Sequence, residues 1–187
     1  MMGPRPRRAW PPGFNIARVR HAAGLVLLFP VDDVPHVALT VRADTLRHAG
    51  QVSLPGGVME PGETYADAAL REAHEEIGLD PSLVTVLGSL THLDIPVSGF
   101  RLHPVVGTCA SQPAFQPSDD EVARLLEVPL QTLMNPASIV ESERQRDGRL
   151  LIVPSFRVCG EDIWGATGMV LAELLALLGW KRDLKEP

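Results

Sequence analysis

Three glutamates crowd the stretch REAHEEIGL, Arg71 to Leu79: Glu72, Glu75 and Glu76. Offsets of three and four put them on adjacent turns of a helix, with side chains able to reach a common point. Oxygen donors gathered this way suit a hard divalent cation such as magnesium or manganese. Without a cation the arrangement is costly. Gly78 stands where a helix would stop, so the carboxylates sit at the end that already carries partial negative charge. Each exposed one costs about 0.3–1 kcal/mol there. The competing reading is a solvated acidic face, partly neutralised by Arg71 between Asp67 and Glu75. Repulsion among the glutamates favours the cation.

These side chains depend on the elements that hold them. The helix begins at Thr64, a capping residue with Asp67 three positions on. At 100° per residue, Ala66, Ala69, Leu70, Ala73 and Ile77 fall on one apolar stripe, and its alanines let the helix lie close to a sheet. Strands are expected at 21–30, 36–43, 84–93, 100–110 and 149–158. Residues 42–57 read as a loop with a short strand, 116–135 as a turn, a short strand or helix and a helical turn, and 167–179 as a final helix. Strands interleaved with two well-separated helices predict a sheet covered on both faces.

The 187 residues suit one domain, over 21–187, behind a Pro/Arg-rich tail at 1–20. With 45% hydrophobic and 21% charged residues the composition is that of a globular chain. A net charge of −6 lacks the basic footprint of a general nucleic-acid binder. Cys109 and Cys159 make neither a disulfide framework nor a zinc set, and point to a reducing cytoplasm. The opening MMGPRPRRAWPP lacks the apolar core of a secretory signal. Residues 163–180 are at the short limit for a membrane span and are interrupted by Glu173, Thr167 and glycines. They read as a core helix or a homodimer contact.

The longer run from Gly57 to Leu79 resembles the signature of the Nudix hydrolases at every specified position. Gly57 is followed after five residues by Glu63, and after seven more by Arg71, Glu72, apolar Ala73, Glu75, Glu76, Gly78 and Leu79. The resemblance implies an α/β/α sandwich with a mixed β-sheet between helices. It also implies a loop–helix–loop that binds Mg2+ or Mn2+ and hydrolyses a diphosphate joined to another group. Carried over residue by residue, Glu72 and Glu76 are cation ligands, Glu75 a further one, and the Gly57 carbonyl a contributor. Glu72 and Glu75 are then catalytic candidates. Glu63 and Arg71 pin the loop to the helix, and Gly78 ends it. Glu121 is the candidate general base, ahead of Asp119 and Asp120.

The preceding stretch LTVRADTLRHAGQVSLPGG, 39–57, resembles the coenzyme A pyrophosphatase branch of that family in Leu39, Thr40, Arg42, Arg47, His48, Gly50, Gln51, Pro55, Gly56 and Gly57. Ala43 and Leu54 depart from the usual serine and phenylalanine. Segments 99–107, 120–136 and 163–175 are also similar, whereas DIPVSGF at 94–100 differs from the threonine-rich version usual there. The branch implies cleavage of coenzyme A or a derivative to adenosine 3′,5′-bisphosphate and 4′-phosphopantetheine. Arg42, Arg47, His48 and Arg101 would meet the phosphates, since guanidinium forks match phosphate oxygens. Two alternatives remain open. One is a Nudix pyrophosphatase for ADP-ribose, nucleoside diphosphate sugars or dinucleotides; the other is a non-catalytic nucleotide sensor. All three take a small nucleotide as partner, with no nucleic acid and no membrane. His74 reads as an exposed helix residue and His103 as a strand histidine.

Overall fold

β1 (Arg20–Val31) buries Ala23, Leu25, Leu27 and Phe29 in one apolar cluster and Val26 in another on its opposite face. Burial on both faces is what an interior strand requires. Asp32 and Asp33, with φ of 48° and 62°, form the two-residue turn whose twist matches antiparallel strands. They lead into β2 (Val34–Arg42), paired Val31 to Val34. β7 (Phe100–Thr108) runs parallel to β1 over Arg20–Leu28. A parallel pair needs a long crossover. Here it comprises β3 (Val52–Ser53), β4 (Gly56–Val58), α1 (Tyr65–Ile77), β5 (Thr85–Ser89) and β6 (Leu93–Ile95). The computed structural model describes residues 2, 10, 12–43, 50–146 and 149–180.

With β8 (Val122–Pro129), these strands make an eight-stranded mixed sheet ordered β3-β2-β1-β7-β5, with β4 on β1, β6 on β7 and β8 on β2. α1 covers one face through Ala68, Ala69, Ala73 and Ile77. α3 (Gly165–Leu177) lines the core on the other face with Val170, Leu171, Leu174 and Leu175. The expected sandwich is present. α2 (Leu130–Met134) follows β8. A second, three-stranded sheet, ordered β11-β10-β9, is built from β9 (Ile139–Arg146), β10 (Arg149–Val158) and β11 (Glu161–Ile163).

Several elements differ from the sequence expectation. Residues 42–57 contain two short strands, because β3 pairs with β2 and β4 with β1. Of the two readings open within 116–135, short strand or helix, residues 122–129 take the strand. β9, whose IVESERQR is largely polar, had no strand signal of its own; β10 pairs with it from end to end. Such pairing overrides weak local preference. On α1 the buried stripe takes in Ala68, while Ala66 and Leu70 are only partly covered. Met2 is 1% exposed within the cluster that includes α3. No described helix is long and apolar enough to cross a membrane.

Candidate active site

α1 is secured at both ends. The Thr64 hydroxyl oxygen accepts from the Asp67 N–H at 3.2 Å, and the Asp67 carboxylate accepts from the Thr64 N–H at 3.0 Å. The Thr64 hydroxyl, which donates to the Asp67 carboxylate at 2.6 Å, and then the Thr64 N–H hold that carboxyl below its ordinary range. At the other end Gly78 takes φ 64°, a left-handed conformation that suits glycine. Its N–H donates to the His74 carbonyl at 2.9 Å, and the Leu79 N–H to that of Ala73 at 3.4 Å. Two further carbonyls of the last turn are taken by a segment from outside the helix. Gln116 N–H donates to Ile77 O and Ser118 N–H to Glu76 O, each at 2.8 Å. A Cβ on Gly78 would lie 2.8 Å from the Gln116 Cβ, so only glycine admits this segment. The docked N–H groups offset the partial negative charge beneath the glutamates. The same segment leads to Glu121, whose charge acts on both Glu72 and Glu76.

Close packing on β4 makes the site. Glu76 is 5% exposed and accepts from the Gly56 N–H at 3.1 Å. Burial pushes its carboxyl up to about 7; the Gly56 hydrogen bond and the Arg42 charge oppose the rise, and Glu121 and Glu72 add to it. Glu72 is also raised, first by burial, with Arg71 opposing and Glu75 and Glu121 adding. The Glu72 carboxylate lies against Gly57, in the space a Cβ there would fill. Any larger residue at 57 would displace the carboxylate or the loop.

Arg71 is the local cation. It donates to Glu63 through Nε at 2.7 Å and Nη2 at 3.2 Å, to Glu72 at 2.9 Å, to Glu75 at 3.3 Å and to the Val58 carbonyl at 3.1 Å. Its proton affinity rises, first through the Glu63 hydrogen bond. Glu63 is lowered by Arg71 and by the Glu60 N–H at 2.8 Å. The ion pairs therefore tie the loop after β4 to the middle of the helix.

The structure thus brings Gly57, Glu63, Arg71, Glu72, Glu75, Glu76, Glu121 and Arg42 into one region. It does not bring the glutamates to one point. Among the described residues no three His, Cys, Asp or Glu side chains converge as a set able to hold a metal ion. Arg71 engages both Glu72 and Glu75, and Glu76 turns inward to Gly56. The donor set still fits a hard divalent cation: every candidate ligand is oxygen, and the two carboxyls raised by burial and by their neighbours' charge are ones that a nearby cation would bring down. Arg101 lies elsewhere, bonded to Asp94 at 2.7 and 3.2 Å. Arg47 and His48 lie outside the described residues. Asp119 and Asp120 are exposed ahead of β8. His74 is exposed, with Nδ1 2.9 Å from the Leu79 carbonyl. Sequence reasoning missed the Gly56 N–H and the docking of residues 116–118, since neither carries a residue-type signal.

The NUDIX domain model matches residues 19–148. An uncharacterized Nudix hydrolase, NudL, of Pectobacterium atrosepticum is 36% identical over 171 residues, 88% of this chain and 86% of the relative. The NudL of Yersinia enterocolitica is 36% identical over 165 residues, covering 87% and 84%. Among solved structures, the Nudix hydrolase RenU of M. smegmatis superposes with a TM-score of 0.62 at 21% identity, covering 90% of this chain and 91% of that one. A C. elegans Ap4A hydrolase in a binary complex gives 0.57 at 17%, covering 86% and 98%. Identities this low speak for the fold alone.

Proposed function

The chain belongs to the Nudix family of phosphoanhydride hydrolases, and on that premise we propose that it cleaves the diphosphate of coenzyme A or a derivative. The products are adenosine 3′,5′-bisphosphate and 4′-phosphopantetheine, formed in the cytoplasm. The observation that carries this reading is the run of residues 39–57 entering the glycine loop, with Arg42 delivered beside buried Glu76. A guanidinium there meets phosphate oxygens as a planar fork.

Nudix hydrolases use divalent cations such as Mg2+ or Mn2+. In this chain Glu72, Glu76, Glu75 and the Gly57 carbonyl would hold the ion. It would offset charge on the phosphate oxygens and lower the pKa of the attacking water. The protein's own residues do the rest. Glu121, carried in by the segment that docks on α1, is the group to accept a proton from water. Arg42 orients the diphosphate. Arg71 and Glu63 keep the loop and helix in register. Arg71 holds Glu72 and Glu75 in place through its guanidinium.

The deciding experiment is product identification by mass spectrometry after incubation with coenzyme A and magnesium, beside a panel of ADP-ribose, nucleoside diphosphate sugars and dinucleotides. Faster turnover of ADP-ribose than of coenzyme A rejects the narrower substrate. No product from any of them, with metal titrated, favours a nucleotide sensor.

A further inference from the structure

Three imidazoles meet beside the opposite end of α1. His21 on β1 and His103 on β7 lie diagonally across the parallel pair, on the α1 side of the sheet. His21 Nδ1 and His103 Nε2 are 2.9 Å apart and share a hydrogen bond. Their ring centres are 5.1 Å apart with planes 18° from parallel, so the rings meet edge to edge. Tyr65, the first residue of α1, lies flat on His103, with centres 3.7 Å apart and planes within 8°. His92, just ahead of β6, stands 5.9 Å from His103 between centres.

The cluster has an excess of groups able to carry positive charge. The bridge between His21 and His103 accommodates one proton. Burial holds His103 down to about 4, and the charges of His21, His92 and Arg101 push the same way; Asp94 opposes them. Asp94 is itself engaged by Arg101 through two hydrogen bonds. Such a cluster suits an anion. One within hydrogen-bond reach would let these imidazoles take up protons rather than repel one another. A transition metal fits less well, because no three ligating side chains converge among the described residues.

α1 gives the scale. Tyr65 precedes Glu72 by seven residues and Glu76 by eleven, which puts all three within about 20° of one helical face. Along the axis they are separated by about 10 and 16 Å. The stack and the glutamates therefore mark two ends of one surface.

We propose that His21, His92 and His103 form a site for a phosphate monoester carried by the same substrate whose diphosphate meets the glutamates. The substrate half rests on the coenzyme A reading, whose adenosine bears a 3′-phosphate; the anion site does not. Two measurements keep them apart. Inorganic phosphate is titrated into metal-free protein near neutral pH, and the imidazole C–H signals are followed by proton NMR. The three histidines are expected to shift toward their protonated positions, and His103→Gln to abolish the shift at His21 and His92. His21→Gln serves if His103→Gln does not fold. No shift, or an undiminished shift in the folded variants, overturns the site. The second measurement is the ratio of kcat/KM for coenzyme A over dephospho-coenzyme A, which lacks the 3′-phosphate. The wild-type ratio is expected to be roughly tenfold or more, falling toward one in the variants. An equal ratio in wild type and variants overturns the substrate assignment. Failure to hydrolyse either compound overturns the coenzyme A reading and that assignment together, while the phosphate titration still decides the anion site.

Discussion

α1 and α3 are both thirteen residues long and lie over opposite faces of the same sheet, yet they are built in opposite ways. α3 has no side-chain cap at Trp164 and buries Val170, Leu171, Leu174 and Leu175. α1 is capped at both ends and buries three alanines, Ile77 and a glutamate. Large side chains hold a helix away from a sheet and contribute apolar area. Small ones contribute little area and bring the backbones close. Closeness is what lets Glu72 rest against Gly57 and Glu76 reach the Gly56 N–H. α3 is built to bury apolar area and α1 to approach the sheet closely.

That division can be broken by substitution. The largest effect should come from Glu76→Gln, which is expected to lower metal-dependent turnover by roughly a hundredfold or more. Its metal-free melting temperature should hold or rise, because a buried, mutually repelled carboxylate is gone. Near-normal turnover would mean that the ion sits elsewhere. Gly57→Ala comes next. The added Cβ displaces the Glu72 carboxylate or its loop, and an ångström of misplacement costs on the order of a hundredfold in rate. Steady-state assays and a thermal melt on the same sample should show rate lost well ahead of stability.

Leu171→Ala tests the converse. Truncating a fully buried leucine on α3 should cost about 2–5 kcal/mol in urea unfolding. Turnover per folded molecule should stay at the wild-type value; a large drop in kcat would merge the two roles. Thr64→Ala, which removes the α1 cap, should cost about 1 kcal/mol, read by the same denaturation. The smallest effect is one of pH. His103 is held at about 4 in the folded chain against 6.5 when free, so the unfolded chain takes up its proton first as pH falls. Its share of stability is complete above about 6.5 and is lost as pH drops toward about 4. Partial exposure screens the effect to roughly 1 kcal/mol or less. His103→Gln should flatten that limb of a stability–pH curve, loosening the Tyr65 end of α1 and leaving α3 unaffected.

How far the site could be read in advance follows from how local each signal is. Thr64, Asp67 and Gly78 announce the ends of α1 because capping is settled within four residues. Glu72, Glu75 and Glu76 announce a cation because helical spacing alone makes them neighbours. β1 and β2 were legible from an apolar run and a turn, whereas β9 is polar and exists through β10. Of the arginines expected to meet phosphate, Arg42 stands beside Glu76 and Arg101 is bound to Asp94. Arg42 lies in the motif that enters the glycine loop, whereas Arg101 follows the divergent stretch 94–100.

What residue order determined by itself was therefore the helix, its caps, the motif spacing and the family. Tertiary structure decided which of the three glutamates is buried and that Glu121 faces the cluster. It also decided that His21 meets His103, 82 positions away. These outcomes depend on the parallel register of β1 and β7 and on the docking of residues 116–118 against the end of α1. Both are long-range choices, made by burying apolar area and satisfying backbone groups across the whole sheet, and no short window of sequence contains them.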